Sequence, residues 1–298
     1  MKYDILFPWH AGFQDLTPGA TLLFVSTPMD LNREHWDEAT DIHARGNVYG
    51  IEDFRAGRCQ LHRIEVEEVG DVAGKTLLHL QCHFGLGTLS WARRGAIVTG
   101  VDFSPKSIAL ARSLAAEVGV DARFVESNVY DLPAALSGRF DIVFSSYGVL
   151  CWLPDLKRWG EIVARYLEPG GIFYIAEAHP FIRVFPLDED ITDGSTELRP
   201  YFSYFHDPAG TRWPPSADYV DEATRYTTSE HTWQHSMGDI VNALVTAGLR
   251  IDFLHEFPYC TWKVIAFTEP VEPGCWGLGP RFPRLPLTFS LKATKLLS

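Results

Sequence analysis

Two short stretches hold the residue types whose spacing could do chemistry. The first, Gln81-Cys82-His83-Phe84-Gly85-Leu86-Gly87, follows the apolar run of Leu77, Leu78 and Leu80. The second, Ala96-Ile97-Val98-Thr99-Gly100-Val101, ends on Asp102. A tight turn between a strand and a helix lets a ligand approach backbone amides, and an acid closing the next strand can accept hydrogen bonds from ribose hydroxyls. Gly85 and Asp102 lie seventeen residues apart, close to the roughly twenty typical of that acid. The pattern is that of a site for a nucleoside-type cofactor.

Further motifs follow in order: Val101-Asp102-Phe103-Ser104, Ser127-Asn128-Val129, Phe140-Asp141-Ile142-Val143-Phe144-Ser145 and Leu167-Glu168-Pro169-Gly170-Gly171-Ile172-Phe173. This series resembles the class I S-adenosylmethionine-dependent methyltransferases, over about residues 75 to 180 with weaker support out to 255. The resemblance implies a Rossmann-like, doubly wound seven-stranded α/β sheet, mostly parallel with a last antiparallel strand. It implies S-adenosylmethionine as cofactor and methyl transfer to N, O or S of a small molecule. It assigns the cofactor to Gln81, Cys82, His83, Gly85, Asp102, Phe103, Asn128, Val129 and Ser145. Asp102 would take the ribose, Phe103 would flank the adenine and Asn128 would meet its amino group.

The first motif departs from the family's acid-x-Gly-x-Gly-x-Gly. His79 stands at the acid, and Gln81 and His83 stand at two of the glycines. Either the site has degenerated, leaving a cofactor-binding protein without transferase activity, or Gln81 and His83 line the pocket and touch the methionine end. The second is favoured, because Gly85, Asp102 and the later motifs remain. A nicotinamide dehydrogenase ranks third, since Gln81 and His83 break its Gly-x-Gly-x-x-Gly.

Methyl transfer from a sulfonium is an in-line displacement, so the protein mainly positions the acceptor, with a base where the acceptor must lose a proton. Tyr147 follows the fourth strand, Glu177 and His179 leave the fifth, and His231 precedes a later helix; these are the candidate catalytic residues. Trp152 and His235 are weaker ones. His79, Cys82 and His83 have no second pair at ligand spacing, and no carboxylate cluster follows the fourth strand, so no metal is expected.

The elements that must carry these residues are legible from periodicity. Trp36, Ala39 and His43 place a helix over Arg33 to Arg45, and a second is expected near Cys59 to Val69. Ser104-Pro105 caps a helix ending at Gly119. Strands are expected at 122–126, 141–145, 172–176 and 249–253, with an antiparallel last strand over 287–293. Ser236-Met237-Gly238-Asp239 is a capping box. Residues 1–28 are expected to form an extension and 74–298 the main domain; the resemblance implies that the helices of 29–73 lie over the cofactor as a lid, and packing on the sheet edge is the alternative. Two aromatic-rich insertions, about 178–235 and 257–286, leave the carboxyl edge of the sheet and are expected to cap the substrate.

The 298 residues carry a net charge of −12 and a pI near 5.3, with no basic run. Nucleic acid is therefore not an expected partner. The aromatic insertions suit an aromatic or cationic small molecule. Five scattered cysteines without a Cys-x-x-Cys suggest a reduced, cytoplasmic protein. No apolar run approaches the ~18 residues of a membrane span. Oligomeric state and acceptor identity are not encoded in any motif.

Overall fold

The structure, a computed structural model, describes residues 26–45, 49–187, 191, 195–218 and 223–297. Most of the expected extension, residues 1–25, lies outside them.

Three helices precede the sheet: α1 (Pro28–His43), α2 (Ile51–Arg55) and α3 (Arg63–Val69). Then β1 (Thr76–Leu80), α4 (Leu86–Arg93), β2 (Ile97–Asp102), α5 (Pro105–Glu117) and β3 (Arg123–Glu126) alternate. The short α6 (Leu132–Ala135), β4 (Phe140–Ser146), α7 (Leu156–Tyr166) and β5 (Leu167–Ala178) continue the pattern. A small hairpin, β6 (Thr211–Trp213) with β7 (Glu230–Thr232), lies in the first insertion. After α8 (Met237–Thr246) and β8 (Leu249–Phe257), a second hairpin, β9 (Thr268–Glu272) with β10 (Cys275–Leu278), fills the second insertion. The chain returns through β11 (Thr288–Lys295).

The seven-stranded sheet has the order β3-β2-β1-β4-β5-β11-β8. Every neighbouring pair from β3 to β5 is parallel, and β11 runs antiparallel to both β5 and β8. Strand order reverses between β1 and β4, which opens a crevice at their carboxyl ends. Successive residues of β1 feed opposite faces. Leu78 and Leu80 pack with Trp159 of α7 and Ile240 and Leu244 of α8, while Leu77 packs with Ile64 of α3 and Trp91 of α4. All three leucines are fully buried, each worth about 1.5–3 kcal/mol.

The boundaries have local causes. The first helix begins at Pro28, ahead of the expected Arg33, because Thr27 and Asp30 form a capping box and Pro28 sits at the first helical position. Ser104 and Ser236 cap α5 and α8 as their sequences predict. Pro169-Gly170-Gly171 of the last motif lies inside β5, where Gly170 bends the chain at φ 80°. The hairpins of the two insertions were not expected, since their strands are too short to show a period.

Candidate active site

The turn between β1 and α4 keeps a glycine-type backbone without two of its glycines. Gln81 has φ 55° and His83 φ 50°, the left-handed region that side chains seldom occupy. Gly85 is at φ 80°, and a Cβ there would lie 2.7 Å from the Phe124 ring. Gly100 on β2 is under the same constraint, with a would-be Cβ 2.7 Å from Phe124 and 2.9 Å from Cys82 Sγ. The Cys82 sulfur is therefore packed in the core beneath the turn, and burial pushes its thiol well above the usual range. Any part of Cys82 in binding falls to its backbone.

Asp102 sits at the end of β2, beside that turn. Its Oδ2 accepts the His83 backbone N–H at 2.8 Å and its Oδ1 accepts Ser104 N–H at 2.9 Å. Burial pushes its carboxyl up to about 6 despite these donors. Each oxygen retains a lone pair for a further donor. The Gln81 amide donates to Val149 O at 3.0 Å, while its Oε1 is buried with no partner. An orphaned carbonyl oxygen at the end of β1 fits an ammonium, and a two-oxygen acceptor at the end of β2 fits a vicinal diol. These residues accordingly suit a nucleoside linked to an amino acid.

The other expected cofactor residues line up along the same edge. Phe103 is half-buried beside Asp102. Asn128 Oδ1 accepts Tyr130 N–H at 3.0 Å, an Asx turn that uses one of its lone pairs. Val129 is buried in the main core, and Ser145 Oγ, fully buried, reaches Leu80 O at 3.5 Å. His79, at the family's acid position, is buried and bonded through Nδ1 to Thr88 Oγ1 at 2.8 Å; desolvation lowers it to about 3. No group of three potential metal ligands occurs among the described residues.

Tyr147 follows β4 in a left-handed conformation, φ 21°. Its ring stands edge-on to His62 at 5.1 Å and to Trp262 at 5.4 Å, and its hydroxyl is buried without a partner. Glu177 serves the same corner differently. Its carboxylate accepts Gly148 N–H at 2.6 Å, Val149 N–H at 2.7 Å, Leu150 N–H at 3.2 Å and Ala178 N–H at 2.6 Å. That is a clamp on the turn after β4. His179 accepts Phe181 N–H through Nδ1 at 3.1 Å and faces Glu256 through Nε2 at 2.9 Å. His231 bonds Ala209 O at 2.8 Å, and His235 bonds Leu153 O at 2.7 Å. The histidines of the insertions thus spend ring nitrogens on their own scaffold.

Helix α1 packs on this edge. Ser104 Oγ donates to Asp37 at 2.5 Å, and Thr40 Oγ1 meets Ser107 Oγ at 2.6 Å. Trp36 stands edge-on to His83 at 5.0 Å and to Trp152 at 5.3 Å. His43 is legible in the sequence only as part of a helical period; its contact with His83, Nδ1 to Nε2 at 3.1 Å, crosses forty residues and has no local signal. Glu65 was also missed. It is buried on α3, accepts His62 N–H at 2.6 Å, and burial raises it to about 8.

Sheet order, crossover and edge acid together define the class I methyltransferase fold. Residues 78–175, about a third of the chain, match the family model described as a methyltransferase domain. Among curated proteins, a ubiquinone biosynthesis O-methyltransferase of Cronobacter sakazakii is 34% identical over 118 residues, covering 37% of this chain and 48% of that protein. One from Methylobacterium is 30% identical over 154 residues, covering 51% and 61%. The chain thus spans about half the length of the curated relatives it matches. A Mesorhizobium loti S-adenosylmethionine-dependent methyltransferase structure superposes with TM-score 0.53 at 21% identity, over 80% of this chain and 99% of that one. Magnesium protoporphyrin IX methyltransferase from Synechocystis, with bound SAH, gives 0.52 at 14% identity, over 90% and 100%. The structural likenesses concern the fold.

Proposed function

We propose that this protein transfers a methyl group from S-adenosylmethionine to a small-molecule acceptor. The observation that carries the reading is the pairing of a left-handed turn at Gln81 and His83 with the Asp102 carboxylate one strand away. Asp102 would hold the ribose hydroxyls, Gln81 Oε1 the amino group of the methionine half, and Phe103 and Asn128 the adenine. The cofactor supplies a methyl group already activated on a sulfonium. The chain's part is to orient the acceptor, exclude water and handle one proton.

Tyr147 is the acceptor-facing group in this reading. Its buried, unpartnered hydroxyl can hydrogen-bond the acceptor atom, and the aromatic corner formed with Trp262 and His62 suits a planar ring. Glu177 acts through the turn it clamps, and His179 and His231 act through the cap. The names of the first matched relatives point to oxygen as the acceptor atom. The charge of −12 argues against nucleic acid as substrate. Five free cysteines accord with a reducing, cytoplasmic setting, and no described helix is long and apolar enough to cross a membrane.

The test is calorimetric titration with S-adenosylhomocysteine, followed by transfer of labelled methyl into a panel of phenols, amines and thiols. Binding with transfer to a phenol is the expected result. Binding without transfer to any class would leave a cofactor-binding protein, and no binding would overturn the reading.

A further inference from the structure

His83 occupies a conformation that glycine adopts freely, and its ring is held from the far side of the lid. Its Nδ1 is 3.0 Å from Ser107 Oγ and its Nε2 is 3.1 Å from His43 Nδ1. His43 Nε2 lies 3.0 Å from Asp218 Oδ2, and the Tyr226 hydroxyl donates to that same oxygen. His43 and Asp218 are fully buried. Asp218 belongs to the first insertion, His43 to α1 and His83 to the turn, so the series joins cap, lid and turn.

The protons along this series can be counted. Thr40 Oγ1 donates to Trp36 O at 2.7 Å, so towards Ser107 it can only accept. The Ser107 hydroxyl proton is spent on Thr40, and His83 Nδ1 must therefore donate to Ser107. At the other end the Asp218 carboxylate accepts a hydrogen bond from His43 Nε2. The contact between His83 Nε2 and His43 Nδ1 closes the series from Ser107 to Asp218, and removing a partner from so buried a chain of hydrogen bonds leaves a polar group unpaired.

The same residue 83 gives its backbone N–H to Asp102 Oδ2 at 2.8 Å. We propose that Asp218, through His43, is a positioning residue for the cofactor site: it holds the His83 ring, keeps residue 83 left-handed, and so fixes the carboxylate of Asp102. This rests on the cofactor reading above. The insertion is then part of the cofactor site as well as a cover for the acceptor.

A double-mutant cycle tests it, with S-adenosylhomocysteine titrated calorimetrically into the wild type, D218N, H83G and the double variant. Asp218→Asn is expected to weaken binding about tenfold in the wild-type background, the size of one charged hydrogen bond. In the His83→Gly background the loss shrinks to less than about twofold, because glycine takes the turn with no ring to be held. Equal losses in both backgrounds, or none in the first, overturn the proposal. A wild type that takes up no S-adenosylhomocysteine defeats the cofactor reading instead. Should D218N fail to fold, Tyr226→Phe removes one donor to Asp218 and gives the same cycle at about threefold.

Discussion

Asp102 carries two consequences at the scale of a single residue. Its carboxyl is raised from 3.8 to about 6, so ionising it in the folded protein costs about 3 kcal/mol at ~1.4 kcal/mol per unit. A raised acid contributes stability that is present below its unfolded pKa and lost as pH climbs through the folded one. Ribose binding wants the ionised form. S-adenosylhomocysteine affinity is therefore expected to fall as pH drops below about 6, and Asp102→Ala to weaken it by about 1–3 kcal/mol; titrations at several pH values check both. Tyr147 gives opposite signs for stability and function. Its unpartnered hydroxyl costs about 1–3 kcal/mol when buried. Tyr147→Phe should raise the thermal midpoint of the ligand-free protein while lowering turnover, and a drop in both would remove the tyrosine from the acceptor site.

At the scale of elements, α1 belongs with the first insertion as much as with the sheet. Asn32 exchanges two hydrogen bonds of 2.7 Å with the backbone of His231 on β7. Glu38 accepts from Thr227 N at 2.8 Å, Thr227 Oγ1 at 3.0 Å, Thr228 N at 3.1 Å and Thr228 Oγ1 at 2.7 Å. Helix α1 and the first insertion are thereby stitched into one layer. Glu38→Ala should release α1 locally, with its amides exchanging roughly ten- to thirtyfold faster, as for a loss of about 2 kcal/mol. Exchange in β1, β4 and β5 should stay unchanged; hydrogen-exchange mass spectrometry resolves the two regions. The helix itself was legible because Trp36, Ala39 and His43 repeat at helical spacing. Its stitching was not, because hydrogen bonds spanning about 190 residues leave no local pattern.

For the whole molecule, buried histidines and buried acids pull stability in opposite directions with pH. His79 is lowered to about 3, and His35 and His235 to about 4, each by desolvation. Such groups contribute stability that is present above 6.5 and lost as pH falls towards the folded values. Asp102 and Glu65, raised to about 6 and about 8, lose stability as pH rises. Between about 4.5 and 6.5 three histidines outweigh two acids, so stability climbs with pH by at least about 1.4 kcal/mol per unit. Above it Glu65 alone remains and stability declines. Urea midpoints should peak near pH 6.5, and a monotonic rise to pH 8 would show that Glu65 ionises freely.

The sequence by itself determined the sheet and its edge. Apolar runs, the Gly85 turn, the Ser104 and Ser236 caps and the spacing to Asp102 are local patterns, and local backbone physics reads them directly. It also located Gln81 and His83 as the odd residues in the turn. Only the tertiary structure decided what those residues do. Positive φ at both positions is imposed by partners elsewhere in the chain: Val149 for Gln81, and Ser107 and His43 for His83. Glu177 shows the same division. Its place at the end of β5 was legible, but its four backbone donors come from two different strand ends. Side-chain type and spacing specify which groups reach the crevice edge; the packing of lid and insertion against it specifies which stay open to a ligand.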